Sequence, residues 1–185
     1  RKRVNNNMAN VSLRPTGVYS VCDLEKIVAD FTGQGVMQDI ALDATDFATA
    51  KLQNGQCVRI AGKTVFLPDA ISDKVLLHAS PCEIYEEGKG RESFAVTRGK
   101  GSNPRLFVLN SRDEFSTNAC FYADTEFATL ALLKSAIAAG TVYAVATVDG
   151  DWKLTATTTN AVVYGEVLEY VTLSNDRDGV RIRMI

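Results

Sequence analysis

From Gln53 onward, apolar positions come in short alternating runs, each closed by a turn signal. Asn54-Gly55, the strongest short-range turn pair, precedes Cys57-Val58-Arg59-Ile60. Ala61-Gly62-Lys63 then reverses the chain into Thr64-Val65-Phe66-Leu67, which Pro68-Asp69 closes. The spacing predicts two short strands in a tight hairpin. Further runs predict strands over Lys74 to His78, Cys82 to Tyr85, Ser93 to Thr97 and Leu106 to Leu109, with turn chemistry between each pair. Thr141 to Val148 and Trp152 to Thr157 flank Asp149-Gly150, a second hairpin signal, and Val162 to Leu173 is a long β-branched and aromatic run. Val180 to Met184 sets Arg181 and Arg183 against Val180, Ile182 and Met184, the pattern of a strand with one wet face. This cadence predicts a mainly β fold, a small β-barrel or sandwich.

One segment changes period. Phe127, Leu130, Ala131, Leu133, Ile137 and Ala138 recur at three and four; Asp124 or Thr125 stands where an N-cap belongs, and Gly140 where a helix stops. The pattern predicts a single helix over about 125–139. Val18 to Ala29 mixes alternation with a short apolar run and fits strand or helix equally.

A chain of 185 residues can bury about 70% of its unfolded surface in one core, so no external staple is required. Residues 1–7, a polar and basic stretch ahead of Met8, are expected to lie outside the fold: a translated leader with Met8 as the start, a tag scar, or the remnant of a precursor. Residues 8–42 are read as an N-terminal arm or extension and 43–185 as the β-rich domain.

Composition narrows the chemistry. Lys and Arg number 20 against 22 Asp and Glu, leaving no global field to draw the chain to nucleic acid or an anionic membrane. No apolar run approaches the ~20 residues that span a bilayer, so no membrane partner is expected. The N-terminus has charge but no hydrophobic core of a signal peptide. Cys22, Cys57, Cys82 and Cys120 match no zinc or redox spacing and read as isolated apolar thiols, which favours assembly in a reducing cytoplasm over a secreted, disulfide-bridged domain. With one histidine, His78, and no such cysteine pattern, catalysis built on His or Cys is nearly excluded; His78 follows Val75-Leu76-Leu77 and is expected to be a packed or edge histidine, not a general base. No enzymatic activity, metal or cofactor is expected.

Three short motifs yield to plainer readings. Gly62-Lys63-Thr64 ends like a phosphate-binding loop, but Cys57 stands where the first glycine belongs and a β-branched run follows in place of a helix. Ser174 to Gly179 resembles half of a calcium loop, yet Ile185 occupies the position of the bidentate glutamate. The pairs Asp149/Asp151 and Glu166/Glu169 would need to face one substrate to act as acid and base, and solvated carboxylates are far commoner. The best candidate contact surface is Gly88 to Arg105, where Lys89, Arg91, Arg98, Lys100 and Arg105 are interleaved with glycines. Only Phe94 is near to stack a base, and Glu86, Glu87 and Glu92 dilute the charge, so solvated hairpin loops are the plainest reading, and of the two contact readings a protein-docking loop is favoured over a nucleic-acid groove.

A resemblance sharpens this picture. The blocks Asp43-Ala44-Thr45-Asp46-Phe47, Leu52-Gln53-Asn54-Gly55-Gln56, Gly62-Lys63-Thr64-Val65-Phe66-Leu67-Pro68, Val75-Leu76-Leu77-His78-Ala79-Ser80-Pro81 and Glu83-Ile84-Tyr85 resemble accessory head proteins of tailed bacteriophages. So do Arg105-Leu106-Phe107-Val108-Leu109, Asp113-Glu114-Phe115-Ser116-Thr117 and the closing strand pair. The similarity runs from Asp43 to Ile185, as a pattern of strand and turn blocks. It implies a capsid decoration, or cement, protein: a small β-rich module that binds the outside of the capsid, stabilises contacts between coat subunits and brings no catalytic residues. The implied partner is the major capsid protein, with self-association on the shell, and the implied location is the virion, assembled in bacterial cytoplasm. A nucleic-acid-binding β-barrel is the alternative.

Overall fold

A computed structural model describes residues 9–16, 19–26, 40–70, 74–80, 95–96, 104–173 and 177–185. The fold is mainly β, with open, sandwich-like sheets and no closed barrel among the described residues. In chain order the strands are β1 (Asn10–Ser12), β2 (Cys22–Lys26), β3 (Ala41–Leu42), β4 (Leu52–Gln53), β5 (Cys57–Ala61), β6 (Thr64–Phe66), β7 (Leu76–His78), β8 (Ala95–Val96), β9 (Leu106–Val108), β10 (Glu114–Thr117) and β11 (Cys120–Ala123). Helix α1 (Leu130–Ala138) follows, then β12 (Tyr143–Ala146), β13 (Trp152–Thr155), β14 (Tyr164–Leu173) and β15 (Arg177–Met184). An eight-stranded sheet has the order β1-β11-β13-β12-β14-β15-β10-β2, a five-stranded sheet the order β3-β6-β5-β7-β9, and β4 pairs with β8.

The alternating runs become these strands because one side of each is buried. In β15, Val180, Ile182 and Met184 enter the core while Arg181 and Arg183 stay half-exposed on the other face. The larger core gathers Phe115, Tyr122, Trp152, Leu154, Val167 and Ile182 with Leu133 and Ile137 of α1; the rings of Phe115 and Trp152 meet at 5.5 Å. A smaller core under the five-stranded sheet is built from Ile40, Leu42, Phe47, Leu52, Val58, Val65 and Leu106. The Gly62-Lys63 pair is the turn between β5 and β6, not a phosphate loop.

The helix is shorter than its period predicted. It starts at Leu130 because Thr129 caps it, accepting the Leu132 N–H, while the residues before it make a tight turn in which the Glu126 and Phe127 N–H groups donate to the Ala123 carbonyl. Glu126 is held by Thr155 Oγ1 and the Ala156 N–H, and Phe127 packs on Tyr122, so tertiary contacts take both residues out of the helix. Gly140 marks its end as expected.

The undecided stretch after Val18 contributes a strand, β2, at one edge of the large sheet, and β1 forms the other edge. Part of the 8–42 extension is thus paired within the sheet. Strands β10 and β11 lie where the turn residues Asp113 and Asn118 masked the pattern. Both are buried: Asp113 Oδ2 accepts the Asn110 N–H at 2.8 Å, and Asn118 Oδ1 accepts the Val21 N–H at 2.8 Å. The expected strand Cys82 to Tyr85 lies outside the described residues. Among them, no helix is long and apolar enough to cross a membrane.

Candidate functional site

The candidate contact segment leaves and re-enters the fold through one small cluster. Ser80 is the last described residue before it and Pro104 and Arg105 are the first after it; β8 lies between. The Arg105 N–H donates to Ser80 Oγ at 2.7 Å, and the Ala79 N–H donates to the Arg105 carbonyl at 3.1 Å. Asn54 clamps the same place from below, its Nδ2 donating to the Ser80 carbonyl and its Oδ1 accepting the Ser80 N–H, both at 2.9 Å. Lys89, Arg91, Arg98 and Lys100 lie outside the described residues. Arg105 is exposed, with its backbone fastened as above.

Beneath the cluster is a buried polar hub built on the Gln53-Asn54-Gly55-Gln56 turn. The turn needs glycine twice over: Gly55 has φ +83°, and a Cβ there would stand 2.0 Å from Thr117 Oγ1. Its carbonyl accepts the Trp152 indole N–H at 2.9 Å and its N–H donates to the His78 carbonyl at 2.7 Å, so this turn is the seam between the five-stranded and eight-stranded sheets. The second sequence-legible turn meets it, because the Cys57 N–H donates to the Gly150 carbonyl at 2.6 Å. Gln56 Nε2 donates to Asp151 Oδ1 at 2.8 Å, Arg14 pairs with Asp151 Oδ2 at 3.1 Å, and Gln53 Oε1 accepts the Ser20 N–H at 2.8 Å. Side chains 137 positions apart in sequence, Arg14 and Asp151, thus close one network.

His78 sits in the middle of it, fully buried. Its Nδ1 faces the Gln53 carbonyl at 2.9 Å; a carbonyl only accepts, so Nδ1 carries the proton and Nε2, 2.9 Å from Ser80 Oγ, accepts the serine hydroxyl. Burial pushes the imidazolium down to about 4, against the opposing pull of the Gln53 carbonyl. The histidine is neutral, with both ring nitrogens engaged.

The other candidate groups are structural in placement. Glu166 pairs with Arg183 at 2.7 Å and Glu169 with Arg181 at 2.6 Å on the wet face of the large sheet; Asp151 belongs to the hub and Asp149 to the exposed turn beside it. Cys22, Cys57 and Cys120 are free thiols in the core, and burial pushes all three up. No group of metal ligands occurs among the described residues. A shallow cleft of about 580 Å³ opens beside β15, lined by Ser111, Arg112, Glu114, Met184 and Ile185 together with the Glu166–Arg183 pair.

Sequence reasoning missed the hub. Only the Asn54-Gly55 turn and the Asp149/Asp151 pair at the second turn touched on it, the latter as candidate acid–base groups and not as structural partners; Arg14, Ser20 and Ser80 carried no local mark. Comparison of the chain with known protein families, curated proteins and solved structures returned no match.

Proposed function

We propose that the protein is a structural component of a tailed-bacteriophage virion that binds the capsid exterior and stabilises contacts between coat subunits. The observation that carries this reading is the anchorage of the contact segment: Ser80 at one end and Arg105 at the other are hydrogen-bonded to each other, and Ser80 is clamped by Asn54 in the seam between sheets. A platform of this kind presents a cationic, glycine-interleaved segment from a fixed base. The resemblance of the strand and turn blocks to accessory head proteins supports the same reading. Stable decoration then comes from symmetry-related copies on the shell, which together hold contacts that are weak singly.

The test is co-sedimentation with undecorated capsids. Replacing Arg91, Arg98 and Lys100 together by Ser should lower occupancy without unfolding the protein; undiminished binding excludes the segment as the docking site. Absence of the chain from the mass spectrum of purified virions excludes the virion reading altogether. Salt separates the nucleic-acid alternative, whose affinity would fall steeply with ionic strength. Deleting residues up to Gln38 is a poorer test, because it also removes β1 and β2 from the sheet and Arg14 and Ser20 from the hub.

A further inference from the structure

We propose that His78 is an acid-operated latch at the seam between the two sheets: neutral, it closes the Gln53–Ser80–Arg105 cluster, and protonated, it opens it. The geometry leaves no slack for the charged form. Nδ1–H is committed to the Gln53 carbonyl, and Nε2 is the acceptor for the Ser80 hydroxyl, whose oxygen already accepts the Arg105 N–H. A proton on Nε2 turns that acceptor into a donor. Ser80 Oγ must then accept twice, its own hydrogen loses its acceptor, and an imidazolium stands in a sealed cluster of neutral groups. Loosening Ser80 loosens Asn54, which holds both its N–H and its carbonyl, and with Asn54 the turn whose neighbour Gly55 bonds both His78 and Trp152.

The described surroundings supply no carboxylate to neutralise the charge at the ring. The β4 turn faces it with the amides Gln53, Asn54 and Gln56, and the paired strand β5 brings Cys57, a thiol pushed well up by burial. The end of β9 brings the Arg105 backbone, its side chain exposed. The charged members of the hub, Arg14 and Asp151, pair with each other and with Gln53 and Gln56. Desolvation is accordingly the dominant cause of the ring's low affinity for protons.

The direction follows from proton linkage. An opened His78 returns to the ordinary value of 6.5, so the open form binds more protons than the closed form, and opening is favoured as pH falls from 6.5 toward about 4. Between pH 7 and pH 5 the opening constant should rise about 20-fold. Amide hydrogen exchange, corrected for its intrinsic pH dependence, reads this at Gly55, Ser80 and Arg105, while Val167 and Ile182 in the large sheet serve as references. The expected result is a rise of that size at the three latch amides, from an opening constant well above that of Val167 and Ile182, which exchange through global unfolding and share the same linkage. Equal opening constants at latch and reference amides mean that the seam opens only with the whole molecule and overturn the latch, as does no rise at all. His78→Gln should flatten the pH dependence. Should that variant fail to fold, the unaltered protein still decides: its one histidine gives one ring signal, and a midpoint near 6.5 overturns the proposal. Asp151→Asn should keep the slope; its loss would make the carboxylate, not His78, the sensor.

Discussion

The outer face of the β14–β15 hairpin and the Gln53–Ser80 hub are both polar, and they hold the molecule in different ways. On the hairpin face, Arg181 bridges Glu25 and Glu169 at 2.6 Å each, and Arg183 pairs with Glu166 at 2.7 Å, as a cross-strand ladder whose side chains are a quarter to a half exposed. Water can replace any one partner there, so each pair adds little. At the centre of the hub Ser20, Asn54, Gln56, His78 and Ser80 are buried and neutral, with Arg14 and Asp151 part-exposed at its rim, and a bond lost at the centre leaves a buried donor or acceptor without a substitute. The ladder tolerates exchange of its members; the hub demands particular ones.

The largest break of this contrast should come from Gly55→Ala. The new methyl collides with Thr117 Oγ1 and the backbone must hold φ +83° with a side chain, so the variant should lose about 3 kcal/mol or more in urea unfolding. A loss below about 1 kcal/mol would show that the seam adapts. Ser80→Ala comes next. It strips His78 Nε2 and the Arg105 N–H of their partner at once, and equilibrium unfolding should register roughly 2–3 kcal/mol. On the ladder, Glu166→Gln should cost about 1 kcal/mol or less at low salt, and the difference from the unaltered protein should vanish in 1 M salt, where the screening length is about 3 Å.

The smallest effect separates two acid responses. Burial alone would push the Glu126 carboxyl up, but hydrogen bonds from Thr155 and Ala156 and the Lys153 ammonium outweigh it and hold it below the usual value of 4.5. Its contribution is therefore present above pH 4.5 and is lost as pH falls through the lower folded value. Glu126→Gln should remove that low-pH slope and leave the slope between pH 6.5 and 4, which belongs to His78, unchanged. Thermal melting across pH 3 to 7 distinguishes them.

The sequence by itself determined what depends on near neighbours. Alternation named the β class, and the bounds of β5 and β6 were legible to within a residue because one face of each is dry and period two is local; the C-terminal end of β15 was legible too, but its start at Arg177 lay inside what read as a turn. Asn54-Gly55 and Asp149-Gly150 marked their turns because the backbone there needs positive φ. The three-four period announced α1 but misplaced its start by a turn, since Glu126 and Phe127 answer to β13 and Tyr122 rather than to the helix. Tertiary structure alone decided the rest. Asp113 and Asn118 look like loop residues until burial makes them backbone partners, and nothing near Arg14 in sequence foretells Asp151. The hub depends on long-range closure: its members are ordinary polar residues, and only a sealed, low-dielectric seam makes their hydrogen bonds indispensable and keeps His78 neutral.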